Sequence, residues 1–219
     1  MPYNSLTDFC NALEKEGELI RITEPVSLNL EISEIADRMA KSPGGGKALL
    51  FENTGRQFPG LINLLGSHRR MLKALGTETY DNKANEINRL FKKMAGPQKN
   101  LKEKLSLLPE LSKIASFMPG KHKFKSAPCR EAVMPKPDLR KFPVLKTWPN
   151  DAAAFITLPQ VITKDPETGI RNVGMYRMQI IDEKTTGMHW HKHKVGARHY
   201  NAYKKRGKKM PAAVALGGD

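Results

Sequence analysis

The hydrophobic pattern of the chain changes at a proline-rich connector, and this change limits the folds that the chain can adopt. Several prolines between residues 119 and 143 favour extended backbone and interrupt helices. They are Pro119, Pro128, Pro135, Pro137 and Pro143. Before them apolar residues recur mainly at helical spacing, whereas after them short apolar runs alternate with turn sequences. The pattern predicts an α/β domain with a basic helical segment over residues 1–125 and a β-rich domain over residues 126–219.

The first predicted domain alternates helical and strand-like segments. Ser5 lies three residues before Asp8, a spacing close to a capping box, and the apolar residues that follow predict a helix to about Lys15. The runs "ELIRITEPV", "KALLFEN" and "GLINLLG" predict strands. The runs "SLNLEISEIADRMAKS" and "HRRMLKALG" predict helices, and residues 81–118 are predicted to be helical and basic.

The glycine-rich run "PGGGK" lacks the context of a phosphate-binding loop. Such a loop needs a strand before its glycines, a helix after them, and Ser or Thr after its Lys. Here a helix is predicted before the run and a strand after it, and Ala48 follows Lys47. We therefore interpret the run as the end of a helix.

The second predicted domain consists of hairpins. In "FITLPQVITKDPETGIRNVGMYRMQII" the segment "DPETG" predicts a turn between two strands, because Pro166 presets φ and Gly169 accepts a positive φ. The run "DEKTTG" predicts the next hairpin loop and "MHWHKHK" the next strand. A helix is then predicted to end near Gly207, and "PAAVALGGD" predicts a last strand.

The composition indicates an anionic partner. With 37 Lys and Arg against 22 Asp and Glu, the net charge is +15, which attracts nucleic acid, a phosphorylated cofactor, a membrane surface or an acidic protein. The chain has no nucleic-acid-binding motif and no apolar run of about 18 residues, so we expect neither specific nucleic-acid binding nor a membrane span. Two distant cysteines, Cys10 and Cys129, and no secretory signal predict a cytoplasmic protein.

Histidines are concentrated near the C-terminal end, with four of the six between His189 and His199. If "GMHWHKHK" is a strand, His189, His191 and His193 share one of its faces. Three imidazoles at this spacing converge on a metal ion only if the strand curves. A three-histidine metal site, a polar face with one functional histidine and a solvated basic edge remain alternatives.

A second polar run, "NVGMYRMQ", contains Asn172, Gly174 and Arg177. Asn172 and Arg177 lie on opposite faces of a regular strand, so both serve one site only if the strand bulges or Asn172 lies at its irregular start. An Asn carbonyl oxygen suits Mg²⁺ or Mn²⁺, and Arg177 suits a phosphate or a carboxylate. The structural alternative for Arg177 is a surface ion pair with Asp182 or Glu183.

These two runs together resemble the UbiD family of decarboxylases. The first run has the form Asn-x-Gly-x-Tyr-Arg, and the second run has the form Met-x-Trp-x-x-His at the expected distance. The segments "LRKFPVL" and "AVALGGD" also fit, and the resemblance extends over essentially the whole chain. The branch that the chain resembles most contains the menaquinone and ubiquinone biosynthesis enzymes.

The resemblance implies a fold, a reaction and a cofactor. The fold is an N-terminal α/β domain followed by a flavin-binding split β-barrel, with a C-terminal domain used in oligomerisation. The reaction is reversible removal of carboxylate from an aromatic or α,β-unsaturated acid. The cofactor is prenylated FMN, supplied by a flavin prenyltransferase, with a divalent metal ion, usually Mn²⁺, and often K⁺.

The resemblance also implies roles for particular residues. Asn172 and His193 correspond to metal ligands, and Arg177 to the catalytic arginine beside the reacting carboxylate. The residues implied to bind the cofactor are Met175, Tyr176, Arg177, His189, Trp190, His191, Lys194 and Val195. Val195 departs from the family, in which a small or polar residue is common at this place.

The resemblance finally implies that a second half is missing. The chain stops at Asp219, whereas relatives continue and supply a metal-binding Glu, the acidic proton donor and the C-terminal domain. We expect a truncated, weakly active half, because general acid catalysis alone is worth about 10²–10⁴ in rate. The alternative is a non-catalytic remnant that binds a flavin phosphate or a partner. Open strand edges near "AAVAL" are expected to favour association.

Overall fold

The computed structural model describes residues 3–95 and 127–217, together with residues 112 and 115. The chain divides into two compact units, Met1–Ala74 with Pro137–Asp219, and Leu75–Lys136. The first unit therefore contains both the α/β segment and the β-rich segment. The domain boundary near residue 125 stays a prediction, and most of the predicted helical segment beyond Ala95 lies outside the described residues.

The N-terminal segment is α/β, as predicted. Its helices are α1 (Leu6–Lys15), α2 (Glu31–Ala40) and α3 (His68–Leu75), and its strands are β1 (Leu19–Ile22), β2 (Ala48–Phe51) and β3 (Gly60–Ile62). The sheet order is β1-β2-β3, with β1 parallel and β3 antiparallel to β2.

Local sequence signals explain how these elements begin and pack. The Ser5 hydroxyl accepts a hydrogen bond from the Asp8 N–H at 3.1 Å, which caps α1 as predicted. Leu13 of α1 is fully buried against β1 and β2, while Ile32 of α2 packs with Phe51 of β2. The apolar stripes of the two helices therefore form the core over the sheet.

The "PGGG" run ends α2, as predicted, and a buried arginine holds it in place. Pro43–Gly45 is a short 3₁₀ turn, in which Gly44 and Gly45 have positive φ. Arg70 of α3 is completely buried and donates to the Gly46 carbonyl at 2.6 Å and to the Glu18 carboxylate at 3.0 Å. The guanidinium thus joins α3, this turn and the start of β1.

The β-rich segment forms two small open sheets. Its strands are β4 (Phe155–Ile156), β5 (Gln160–Lys164), β6 (Arg171–Met175), β7 (Met178–Ile180), β8 (Thr186–Met188) and β9 (Ala212–Ala215). One antiparallel sheet has the order β4-β7-β8 and the other β6-β5-β9. Helix α5 (Val195–Lys205) lies between β8 and β9 in the chain and contacts β5 and β6.

The predicted turns of this segment are confirmed. Asp165 and Ile170 close the "DPETG" turn with a backbone hydrogen bond of 2.9 Å, and Gly169 has φ +72°. The loop between β7 and β8 contains "DEKT", whereas Thr186 and Gly187 of the predicted "DEKTTG" loop belong to β8. Gly207, which follows α5, has φ +64°. These positions were predictable because each turn depends on residues adjacent in the chain.

The prediction of a strand over "MHWHKHK" is wrong after its first residue. Strand β8 ends at Met188, and residues 189–194 form an irregular turn that leads into α5. The Lys194 N–H closes this turn by donating to the His191 carbonyl at 2.9 Å. The three histidines therefore do not alternate along a strand face.

The two segments of the first unit are joined through backbone and aromatic contacts. Lys146 exchanges hydrogen bonds with Leu28 and Leu30 at 3.1 and 3.0 Å. The rings of Phe58 and Phe142 stack with centroids 4.9 Å apart. These contacts join the chain before β4 to the loops that precede α2 and β3.

The second unit contributes helix α4 (Tyr80–Ala95) and a 3₁₀ turn at Pro128–Arg130 to the described residues. Helix α4 confirms the predicted helix as far as Ala95. No helix among the described residues has the length and apolarity needed to cross a membrane.

Candidate functional site

The chain passes from one sheet of the β-rich segment to the other within the first polar run. Strand β6 ends at Met175 and β7 begins at Met178, so Tyr176 and Arg177 lie between two strands of different sheets. This break is the irregularity that the spacing of Asn172 and Arg177 required. It allows side chains from both parts of the run to serve one region despite their odd spacing.

Tyr176 connects the two polar runs. Its side chain is buried, and its ring packs against Trp190 with centroids 5.0 Å apart. Its hydroxyl oxygen accepts hydrogen bonds from the Gly196 N–H at 3.1 Å and from the Asn172 side-chain amide at 3.4 Å. The side chain therefore contacts β6, the turn after β8 and the first turn of α5.

Two glycines make room for this packing. A Cβ atom at Gly174 would lie 2.7 Å from the Tyr176 ring, and one at Gly196 would lie 1.9 Å from Cζ3 of Trp190. Real Cβ atoms do not approach other heavy atoms so closely, so any larger residue would displace a ring. Each polar run thus supplies one glycine and one aromatic ring to the same contact.

Arg177 lies beside an acidic residue and an aromatic ring. Its Cζ is 3.8 Å from the centroid of Phe155, and its Nη2 is 3.4 Å from a carboxylate oxygen of Asp151. The alternative of an ion pair with Asp182 or Glu183 is wrong, because the chain folds Asp151 onto Arg177 instead. The guanidinium is held by a cation–π contact and a partly exposed ion pair.

Asp151 and Phe155 were not identified from the sequence as site residues. Asp151 lies 26 residues before Arg177, and no local pattern pairs them. The Trp148 N–H donates to the Asp151 carboxylate at 3.2 Å, and this turn holds it with its side chain only 15% exposed. An acidic residue before a predicted strand was the only available signal, and it indicates a turn as readily as a site.

The second polar run lies largely at the surface, where Trp190 is half-buried and His189 is exposed. The His189 N–H donates to the Arg177 carbonyl at 3.0 Å, and its ring meets the edge of Phe155 at 5.4 Å. The side chains of His191, His193, Lys194 and Val195 are exposed. This run thus presents imidazole and ammonium groups to solvent directly after Trp190.

The fourth histidine of the cluster has a different environment. His199 is 1% exposed, and its Nδ1 lies 2.9 Å from the Thr163 hydroxyl of β5. Its Nε2 lies 3.7 Å from Asp165, too far for a hydrogen bond. Hydrogen bonds from two backbone N–H groups in the "DPETG" turn hold the pKa of Asp165 below its usual value. His199 therefore anchors α5 to the sheet.

The donors for a metal ion suit a hard divalent cation but are few. Because the Asn172 amide nitrogen faces the Tyr176 hydroxyl, its carbonyl oxygen remains as a possible ligand. His193 offers an exposed imidazole. No group of three or more His, Cys, Asp or Glu side chains that could hold a metal ion occurs within residues 3–95 and 127–217.

One face of the β6-β5-β9 sheet is apolar and exposed. Residues alternate along β6, so that Asn172 and Gly174 face α5, whereas Val173 and Met175 are 58% and 64% exposed. Ile162 of β5 pairs with Val173 in the adjacent strand. Strand β9 forms one edge of this sheet. The region around Met175 and Arg177 is therefore open to a ligand or to another protein segment.

Two family models match the chain in sequence. The model of the 3-octaprenyl-4-hydroxybenzoate carboxy-lyase N-terminal domain, UbiD_N, matches residues 10–93. The model of the 3-octaprenyl-4-hydroxybenzoate carboxy-lyase Rift-related domain, UbiD, matches residues 121–219. The second match includes both polar runs.

Similar proteins are longer than this chain. An uncharacterized protein of Aquifex aeolicus (strain VF5) is 47% identical over 218 residues, which cover 99% of this chain and 44% of that protein. The closed form of vanillic acid decarboxylase from Sedimentibacter hydroxybenzoicus aligns with a TM-score of 0.79 and 25% identity, over 98% of this chain and 43% of that chain.

A second solved structure shares the fold. It is an evolved dimeric form of the UbiD-class enzyme HmfF from Pelotomaculum thermopropionicum, in complex with prFMN. It aligns with a TM-score of 0.72 and 22% identity, over 98% of this chain and 44% of that chain. The chain thus spans less than half the length of the relatives that it matches.

Proposed function

Because the chain belongs to the UbiD family, we propose that it forms part of a non-oxidative decarboxylase acting on an aromatic or α,β-unsaturated acid. The observation that carries the proposal is the packing of the two family runs against each other through Tyr176 and Trp190. That packing joins the run that carries Asn172 and Arg177 to the run that carries the exposed imidazoles of His191 and His193. The substrate that we propose is an aryl acid of quinone biosynthesis, in line with the carboxy-lyase named by both matching models.

We propose that prenylated FMN, made by a flavin prenyltransferase, binds in this region and supplies the electron-accepting chemistry of decarboxylation. The solved relative HmfF binds prFMN. In this chain, the exposed Met175 offers an apolar surface to the flavin ring system. Because the Tyr176 side chain is buried, Tyr176 would contact the cofactor through its backbone. The second run, His189, Trp190, His191, Lys194 and Val195, would flank the cofactor, and its cationic members suit a phosphate.

We propose Asn172 and His193 as ligands of a divalent metal ion, with Mn²⁺ as the candidate and K⁺ as a possible second ion. An amide oxygen and an imidazole both suit Mn²⁺. The cofactor phosphate would complete part of the coordination shell. This arrangement explains why the described residues need not contain three acidic or histidine ligands in one group.

Arg177 is the residue that we propose to bind the substrate carboxylate. Its side chain is 41% exposed, so one edge of the guanidinium is accessible while Phe155 and Asp151 fix its position. A guanidinium forms bidentate hydrogen bonds with a carboxylate, which orients the acid for loss of CO₂. Release of CO₂ leaves a carbanion equivalent that must be protonated.

We further propose that activity requires another segment or subunit to cover the exposed face of the β6-β5-β9 sheet. Val173 and Met175 are exposed there, and β9 has an open edge. Oligomerisation or a complementing half would bury this surface. We place the reaction in the cytoplasm, since Cys10 and Cys129 are free thiols that suit a reducing compartment.

A non-catalytic remnant that binds a flavin phosphate is the second candidate. The exposed ammonium group of Lys194 supports it, because a cation can bind a phosphate without any decarboxylation chemistry. The two candidates differ in one outcome, because only the decarboxylase releases CO₂ when a complementing half is added.

The first test measures prenylated-FMN binding in the presence of Mn²⁺ by fluorescence quenching. We expect wild-type chain to bind and Asn172→Ala to lose binding, whereas the control Asn201→Ala, an exposed Asn on α5, should bind as wild type does. CO₂ release from aryl acids is then measured after addition of the C-terminal half of a close relative. Binding without CO₂ release supports the remnant, and no binding in any variant refutes both candidates.

A further inference from the structure

Tyr176 lies where the two runs of the site meet, but its side chain is too buried to touch a substrate. We propose that Tyr176 is a positioning residue, whose hydroxyl fixes the orientation of the Asn172 amide and anchors the first turn of α5. This role presents the Asn172 carbonyl oxygen to a metal ion, and it rests on the proposed function. The phenol would therefore act through Asn172 and α5, without touching the cofactor itself.

The hydrogen bonds of the hydroxyl determine the orientation of Asn172. The phenol oxygen accepts from the Gly196 N–H at 3.1 Å and from the Asn172 Nδ2 at 3.4 Å. Since Nδ2 and Oδ1 lie on opposite sides of the amide, this contact directs Oδ1 away from Tyr176. Without the hydroxyl, the Asn172 amide would lose this acceptor and could rotate.

The same hydroxyl fixes the second run. Gly196 is the second residue of α5 and follows directly on the turn that carries His193 and Lys194. Its backbone N–H is one of the first-turn donors that a helix leaves unpaired. Lys194 precedes the helix without a side-chain cap, so the phenol oxygen provides a capping acceptor from the connection between β6 and β7.

The ring that carries the hydroxyl has no freedom to move. It lies beneath Gly174, where an added Cβ would be 2.7 Å from Cε2, Cζ and the hydroxyl oxygen. Its other neighbour is the Trp190 ring, which itself lies against Gly196. A ring confined in this way places its hydroxyl reproducibly, as a ligand-orienting group requires.

Tyr176→Phe tests the inference because it removes only the hydroxyl. We expect the variant to keep the far-UV circular dichroism of wild type, while its affinity for Mn²⁺ in the presence of FMN falls by about 10- to 100-fold, the usual effect of losing a group that orients a ligand. Hydrogen exchange at the Gly196 amide should become faster, measured by NMR. The control Tyr200→Phe changes an exposed tyrosine next to the same Trp190 ring and should alter neither quantity.

The outcomes separate this inference from the proposed function. If wild-type chain binds Mn²⁺ and FMN, and Tyr176→Phe binds them equally well with unchanged Gly196 exchange, the positioning role is overturned. If wild type binds neither, the proposed function fails, and the exchange rate at Gly196 still decides the structural role of the hydroxyl.

A measurement on the wild-type chain does not depend on the folding of any variant. Proton NMR should show a nuclear Overhauser effect between the Asn172 side-chain amide protons and the Hε protons of the Tyr176 ring. Its presence supports the assignment of Nδ2 toward the phenol. Its absence, with the ring resonances assigned, overturns that assignment.

Discussion

Substitution of Gly196 by Ala should destabilise the protein, although the same change in most helices stabilises it. The new Cβ would lie 1.9 Å from Cζ3 of Trp190, 2.8 Å from Cε3 and 3.0 Å from Cη2. Carbon atoms pack at about 3.5–4.0 Å, so the indole must move by roughly 1.5–2 Å. The Tyr176 ring, at 5.0 Å between centroids, lies against this indole. A displacement of that size therefore disturbs both rings.

The expected change in the free energy of unfolding is the difference between two opposing effects. Overpacking of a filled region costs about 1–3 kcal/mol of the free energy of unfolding. Replacement of Gly by Ala inside a helix gains up to about 1 kcal/mol, and less at the second position of α5. The clash is large and the gain small, so we expect a net loss of about 1–2 kcal/mol.

Urea unfolding followed by far-UV circular dichroism measures this loss. With an m-value of about 2 kcal/mol/M, the midpoint should fall by about 0.5–1 M. In a Trp190→Leu background the clashing ring is gone, so Gly196→Ala should there be neutral or stabilising. A higher midpoint for Gly196→Ala in the presence of Trp190 would refute the reasoning, because helix propensity would then outweigh the contact.

Three further predictions concern stability and thiol reactivity. Arg70→Met should lower the free energy of unfolding by about 3 kcal/mol, since it leaves Glu18 and buried carbonyls without their donor, and an unchanged urea midpoint would contradict this. Asp165→Asn should destabilise the protein at pH 7, because the lowered folded pKa of this carboxyl means that its charged form contributes stability above its unfolded pKa of about 3.9. The difference from wild type should shrink as pH falls below the unfolded pKa and disappear below the folded pKa, as urea midpoints measured over a series of pH values from 7 downward would show. The exposed Cys129 should react with Ellman's reagent in the folded protein, whereas Cys10, whose pKa is raised by burial, should react only on unfolding, and Cys129→Ser should abolish the fast phase.

Local signals in the sequence were sufficient for most elements of the fold. The Ser5 cap, the end of α2 at "PGGG" and the "DPETG" turn depend on residues within one turn of each other. Such signals are reliable because a capping side chain or a positive φ depends on the residue type at that position and not on distant contacts. The elements between them then follow from apolar spacing.

The contacts of the site required the three-dimensional structure. The alternation in "MHWHKHK" fits a strand, but the chain leaves the sheet after Met188, and the half-buried Trp190 packs against Tyr176. The partner of Arg177 is Asp151, and no spacing rule joins residues so far apart. His199 belonged to the histidine cluster in sequence, yet the helical turn places it in the interior.

The site therefore consists of two layers with different physical roles. The buried layer, formed by Tyr176, Trp190 and the two glycines that accommodate their rings, is packed without any ligand. The exposed layer, which includes Met175 and His193, gains contacts only when something covers it. Substitutions in the buried layer should change the free energy of unfolding first and binding as a consequence. Substitutions in the exposed layer should change binding at constant stability, because their side chains contribute little to the folded chain alone.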